Sequence, residues 1–262
     1  MELDLEGRRA LVTGGNGGIG RVISLELARR GAHVVVNGRT PEKVDAVVAE
    51  IEALGGTASG APGDITQAEM ARSVVQHAAD GGVLDFGVWS GAGTTPQGAL
   101  WKLFLDMSYE EFLPVIEAHW LSKAALTHAA LEVMVPNGYG KIVNLCTDAG
   151  RVPTTNESMI GGAAAGVMQM FRVLARELGR YGIRLNTVSC GPVAEVDAFV
   201  RSNPVERVGD AGARVLSKLD KRRMFPVAGL DLARTVGFLL ADTGDNITGQ
   251  TWSVNGGLSI VG

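Results

Sequence analysis

The sequence predicts an α/β fold, a single-domain, Rossmann-like, doubly wound parallel sheet with helices on both faces. Three observations predict it. Short β-branched apolar runs alternate with longer stretches of helical period. Turns rich in glycine join them, and the 36 glycines are scattered through 262 residues without a repeat. No linker or low-complexity stretch divides the chain, so residues 1–262 read as one domain.

In chain order, Arg9–Thr13 is a short buried strand that runs into Gly14-Gly15-Asn16-Gly17-Gly18-Ile19-Gly20. Val22, Ile23, Leu25, Leu27 and Ala28 then recur at helical spacing, and Gly31 stops the helix. Residues 33–36 form a second apolar strand. Thr40-Pro41 reads as a capping residue followed by a proline in the first helical turn. Val44, Val47, Val48, Ile51 and Leu54 make one stripe, closed by Gly55-Gly56. A weak strand over 57–61 leads through Gly63-Asp64-Ile65-Thr66 to a helix over 67–79. Residues 83–89 form a strand ending at Ser90-Gly91-Ala92-Gly93. A long helical region over 108–135 is expected to break or kink near Pro114. Strand 141–146 follows, then a loop with Thr147, Asp148, Arg151 and Glu157. A helix opening in Gly161-Gly162-Ala163-Ala164-Ala165-Gly166 runs to about residue 181. Strand 183–189, helix 231–240 and strand 250–254 complete the alternation. Between them, 194–225 is long, charged and irregular, as a lid over a site would be.

Composition excludes several classes. The chain carries 24 basic and 28 acidic residues, a net charge of −4, and no basic cluster, which leaves no footprint for nucleic acid. No apolar run approaches the roughly 20 residues of a spanning helix, so no membrane role is expected. The charged start MELDLEGRRA lacks the apolar core of a signal peptide, which implies a cytoplasmic protein. Cys146 and Cys190 read as buried thiols in a reducing compartment, and no metal site is expected.

A strand, a glycine-rich turn and a helix N-terminus together form an anion site, because free backbone N–H groups and the helix dipole converge there. Gly14, Asn16, Gly18, Ile19 and Gly20 are its candidates. Strand two ends in Asn37-Gly38-Arg39-Thr40, without the carboxylate that grips the ribose of NAD. Arg39 is suited to a 2′-phosphate and favours NADP.

These pieces resemble the short-chain dehydrogenase/reductase family of the single-domain kind over essentially the whole chain. The likeness is carried by Thr13-Gly14-x-x-x-Gly18-Ile19-Gly20, Gly63-Asp64-Ile65, Ser90-Gly91-Ala92-Gly93 and Lys141-Ile142-Val143-Asn144. It continues in Gly191-Pro192-Val193 and in Ile247-Thr248-Gly249-Gln250-Thr251 with Asn255-Gly256-Gly257. By resemblance, Asp64 and Ile65 contact adenine, Ala92 and Gly93 line the adenosine ribose, and the cofactor is NADP or NAD. Two departures imply that its binding is weak or lost. Ser90 and Gly91 replace two asparagines, and Glu195 replaces the threonine that holds the nicotinamide amide.

The resemblance also implies a catalytic set: a tyrosine for the hydroxyl proton, a lysine four residues later that tunes it, a serine and an asparagine. The serine position falls on Thr147, the tyrosine on Ile160, the lysine on Ala164 and the asparagine near His119. Only Thr147 keeps a hydroxyl, and no tyrosine lies between Tyr139 and Tyr181. Losing one general acid lowers a rate by about 10²–10⁴. The family reaction is therefore not expected by the family route, and no catalytic residue is assigned.

His119, Asp148, Glu157, Glu195 and Tyr109 are the residues that could substitute. His119 has the suitable pKa but nothing in the sequence to pair with it. Asp148 and Glu157 read as loop carboxylates that are solvated or cap a turn. Cys146 is expected to face away from Thr147, one residue along the strand.

The loop from Thr147 to Val152 with Glu157 resembles the subgroup that oxidises β-hydroxyacyl-CoA thioesters in anaerobic aromatic and alicyclic acid breakdown. With the reactive pair replaced, it resembles the inactive subunit of a heteromeric enzyme of that kind. The implied partner is an active short-chain dehydrogenase paralogue, or a second copy, docked through helices 108–135 and 161–180. Two alternatives stand beside this one. The first is an NAD(P)-dependent oxidoreductase with a rewired proton donor, His119 or a water on Thr147. The second is a non-redox lyase or cyclase using Glu157 or Glu195.

Overall fold

The computed structural model describes residues 4–92, 95–96, 99–194, 214, 217–218, 221 and 224–260. Seven parallel strands form one sheet in the order β3-β2-β1-β4-β5-β6-β7. They are β1 (Arg9–Thr13), β2 (His33–Gly38), β3 (Thr57–Pro62), β4 (Phe86–Trp89), β5 (Gly140–Thr147), β6 (Ile183–Cys190) and β7 (Thr251–Val254). The expected doubly wound architecture is present.

Alternation along each strand builds two cores. On one face Val12, Val34 and Val36 pack with Ile23 and Leu27 of helix α1 (Gly18–Arg29), Val44, Val47 and Ile51 of α2 (Pro41–Ala53), and Leu232 and Val236 of α7 (Gly229–Leu240). On the other, Leu11 and Val35 pack with Val74 and Val75 of α3 (Ala68–Ala78), Leu126 of α5 (Ser122–Asn137), and Val167 and Phe171 of α6 (Ser158–Leu178). Covering both faces is what lets the strands read as continuous apolar runs.

Several local expectations change. Thr40 is extended at the start of α2 but makes no side-chain capping bond, so Pro41 alone marks that helix start. Strand four begins at Phe86 rather than 83, because Gly81 and Gly82 turn through positive φ. Asp85 instead holds the chain beside β1, accepting from the backbone N–H of Arg9 at 2.8 Å. The helical break is not at Pro114. That residue sits in the first turns of α4 (Phe112–Ile116), where its missing N–H matters little. The irregularity is a π turn over Glu117–Leu121 that carries His119 into α5.

The helical run Ser158–Tyr181 does have the length and apolar composition of a spanning helix, unlike the sequence-based expectation. Gly161, Ala163, Ala164, Val167 and Phe171 bury one side of α6 against the sheet, as a core helix does. The segment 194–225, expected as a lid, falls almost wholly outside the described residues.

Candidate functional site

Strands β1 and β4 are neighbours, yet their crossovers leave in opposite directions along the sheet, so a crevice opens beyond their carboxyl ends. The loops leaving the two strands meet there. Gly14 has φ +65°, and a Cβ on it would lie 2.5 Å from the Gly91 Cα. The N–H of Gly91 donates to the Thr13 hydroxyl at 3.3 Å. A cavity of about 260 Å³ runs from Gly14, Ile19, Gly20 and Ala92 past Lys123 to Thr147, Ile160 and Ala164.

Gly17 and Gly18 are exposed at the start of α1 with open space above them, the condition for an approaching phosphate. The remaining expected cofactor residues are dispersed. The Asn16 amide lies over Gly38, where any side chain would collide with it. Arg39 is exposed just beyond the end of β2. The Asp64 carboxylate accepts from the N–H of Thr66 at 3.0 Å and its hydroxyl at 2.8 Å, closing a turn. Ile65 is buried in the core. Gly93 and Glu195 lie outside the described residues.

Lys123, absent from the sequence-based set, dominates the inner end of the crevice. It projects from α5 one turn after His119, and its side chain is 3% exposed. Its ammonium donates to the carbonyl of Trp89 at 3.1 Å and to that of Gly91. Burial pushes its pKa down to about 7. One signal could have found it, a lone cation in an apolar helix four residues after the His119 position, on the same face. The exposed start of α1 suits a dinucleotide phosphate, and at the end of β4 the chain's own amine occupies the carbonyls of Trp89 and Gly91.

A second cavity, of about 520 Å³, adjoins the first through His119, Thr147 and Ile160, and is walled by Trp101, Glu157 and Val193. Here β5 delivers Thr147, and Glu157, the residue just before α6, faces it. The Thr147 hydroxyl donates to Glu157 Oε2 at 3.2 Å and accepts from the N–H of Ala149 at 3.2 Å. Glu157 is buried, not solvated, and burial pushes its pKa up to about 7 against the opposing bond from Thr147. Burial, helped by the Lys123 charge, pushes His119 down to about 4, so its imidazole is neutral at pH 7.

Asp148 is also buried. Its carboxylate accepts from Ser189 at 2.9 Å, Ser253 at 2.9 Å, Asn255 at 2.8 Å and the Ser259 hydroxyl. Burial alone would raise its pKa, but these donors outweigh burial and hold it below the usual value. Asp148 is thus a structural anchor. Ile160 faces both cavities, and Ala164 packs against Gly150, where an added Cβ would lie 2.8 Å from the Ala164 methyl. Tyr109 is exposed, stands edge-on to Phe112 with ring centroids 5.6 Å apart, and lines neither cavity.

Cys146 and Thr147 both line the smaller cavity, where the strand ends and the chain enters a 3₁₀ turn at Asp148–Gly150. Neither cysteine is fully buried, and Cys190 points its thiol at the Cys146 carbonyl, 3.8 Å away. Burial pushes the Cys146 thiol up, and the Cys190 thiol up to about 12, so neither is a nucleophile near neutral pH. Among the described residues, no cluster of three His, Cys, Asp or Glu side chains could hold a metal.

The family model for enoyl-(acyl carrier protein) reductase matches residues 14–259. The 3-oxoacyl-[acyl-carrier-protein] reductase FabG of Staphylococcus aureus is 32% identical over 254 residues, 96% of this chain and 98% of its own length. The enzyme of the same name from Rickettsia bellii is 28% identical over 259 residues, 99% of this chain and all of its own. A short-chain type dehydrogenase/reductase from Mycobacterium ulcerans superposes with a TM-score of 0.85 at 26% identity, covering 97% of this chain and 90% of that one. These relatives are oxidoreductases of a fold that generally binds NAD(P). By sequence, by sheet order and by the crevice at its switch point, the chain belongs to the short-chain dehydrogenase/reductase family.

Proposed function

We propose that the chain is a non-catalytic subunit of this family that assembles with an active paralogue oxidising a β-hydroxyacyl-CoA in aromatic compound degradation. The observation that carries the reading is the wall of the shared cavity. Ile160 and Ala164, to which the resemblance assigns the places of the family's acid and cation, line the smaller cavity, and neither can give a proton or a charge. An intact fold with that wall points to its surface as the working part. Leu113, Leu121 and Val173 expose apolar side chains on the α4–α6 side, where the resemblance places the subunit contacts. The acyl thioester class is supported by the relatives, which are named for 3-oxoacyl groups on a carrier protein. The aromatic substrate rests on the loop from Thr147 to Val152, which resembles the toluene-degrading (hydroxyphenylmethyl)succinyl-CoA dehydrogenase.

The experiment is co-expression with a neighbouring short-chain dehydrogenase. A stable hetero-oligomer is expected, whose β-hydroxyacyl-CoA oxidation is lost on mutating the partner's tyrosine and kept on mutating Thr147. A chain that forms only homo-oligomers and turns over alone would overturn the reading.

One observation favours the second reading, a rewired oxidoreductase. Glu157 is a buried acid in contact with the Thr147 hydroxyl, with a pKa of about 7. Under that reading Glu157, rather than His119, is the proton donor, and E157Q abolishes turnover by the chain alone.

A further inference from the structure

We propose that Lys123 is an internal lock. Its ammonium binds the carbonyls at the end of β4, beside the Gly14 turn, and so occupies acceptors that a bound dinucleotide would need. The proposal deepens the non-catalytic reading, on which it rests, by naming what keeps the cofactor out.

In an open parallel sheet, ligands enter where the carboxyl ends of strands diverge. The polar groups available at such an end are backbone carbonyls and N–H groups, and an incoming ribose hydroxyl or amide donates to the carbonyls. At the end of β4 those of Trp89 and Gly91 already accept from the ammonium of Lys123. To free them, the amine would have to leave a place where it is 3% exposed and surrender both bonds together. Breaking both bonds without replacement would leave the amine and the two carbonyls buried and unpaired, which is costly.

The backbone agrees with this. Gly91 leaves no side chain between the loops, and a Cβ there would lie 2.7 Å from the N of Gly14. Lys123 draws in the same residue that Gly14 touches, so one side chain and one glycine pair close the crevice together. The remaining space is about 260 Å³, below the roughly 300–1,000 Å³ of ordinary ligand sites. The adjoining cavity, at about 520 Å³, lies within that range, so the small space is the one on the cofactor side.

The alternative role for this amine is to replace the charge missing at Ala164 and to hold the ribose. The two roles predict opposite results. Titrate the full chain alone with NADH and NADPH by fluorescence, and with the oxidised forms by calorimetry. Compare wild type with K123A, which empties the space, and K123M, which removes the donors and keeps the bulk.

The lock predicts no saturable binding by wild type up to about 1 mM, at least a tenfold gain in K123A, and a smaller gain in K123M. Circular dichroism and co-purification establish that the variants fold, and K123M carries the comparison if K123A does not fold. Wild-type binding below about 100 µM overturns the lock, as do folded variants that bind no better than wild type. Wild-type binding that K123A and K123M lose assigns the amine to the ribose instead. Binding without turnover removes the lock and leaves the non-catalytic reading standing, whereas turnover by the chain alone removes that reading.

Discussion

Glu157 Oε2 stands 3.2 Å from the Thr147 hydroxyl, and the pair faces a cavity rather than solvent. Burial lifts the carboxyl from 4.5 to about 7. Between those values the folded chain keeps the proton and the unfolded chain releases it. The stability this gives is complete below pH 4.5 and is lost as pH rises through 7. E157Q, which cannot ionise, should match wild type near pH 4.5 and exceed it above pH 7 by about 3 kcal/mol. Urea denaturation of both proteins across pH 4–8 checks this. A difference that stays constant over the range would show that Glu157 ionises normally.

Asp148 makes a prediction of the opposite sign. Its four donors come from β6, β7 and the residues that follow them, so one carboxylate ties the end of β5 to the end of the chain. D148A should leave buried hydroxyl and amide donors unpaired and destabilise the protein by about 2–4 kcal/mol. D148N keeps the shape and should lose less. Because the folded pKa lies below 3.8, the contribution of Asp148 is present above that pH and disappears as pH falls below it. Acid unfolding of D148N should therefore begin at a higher pH than that of wild type, and the two stabilities should converge as pH falls below 3.8.

Much of this molecule was legible in its residues, and the failures share a cause. The alternation of strands and helices and the glycine turn follow from period and turn chemistry, which are local. Thr147, Ile160, Ala164 and His119 were placed by the family resemblance, and all four line one of the two joined cavities. The burial of Asp148 and Glu157 was missed because it depends on β6, β7 and α6 closing over the loop, which no local pattern records. Lys123 was missed because a lone lysine in a helix usually reaches solvent. Only the adjacency of β1 and β4 places carbonyls where it can bury its charge.

Gly182 and Gly179 differ by three residues and should respond in opposite ways. Gly182 has φ +72°, and a Cβ there would collide with the Gly138 carbonyl oxygen. Gly138 itself ends α5 in the left-handed region at φ 64°. G182A should cost about 2 kcal/mol or more, because neither the dihedral nor the space accepts a side chain. Gly179 has φ −56° and ψ −36°, with nothing within 4 Å of an added Cβ. G179A should be neutral or stabilising by about 0.5–1 kcal/mol, read as a shift in the urea midpoint.

Ile160→Tyr together with Ala164→Lys is the sharpest test of the proposed deficit. If Ile160 and Ala164 were the whole deficit, I160Y/A164K would create a dehydrogenase. The structure argues otherwise. Ala164 is buried against Gly150, so a lysine there must run into the smaller cavity, toward the ammonium of Lys123. Two like charges in that space repel, and the carbonyls of Trp89 and Gly91 remain occupied. The double variant should show no NAD(P)H formation with a β-hydroxyacyl-CoA, whereas I160Y/A164K/K123A should show measurable turnover. Full activity in the double variant would mean that Lys123 yields to the cofactor, and that the loss of chemistry lies in Ile160 and Ala164 alone.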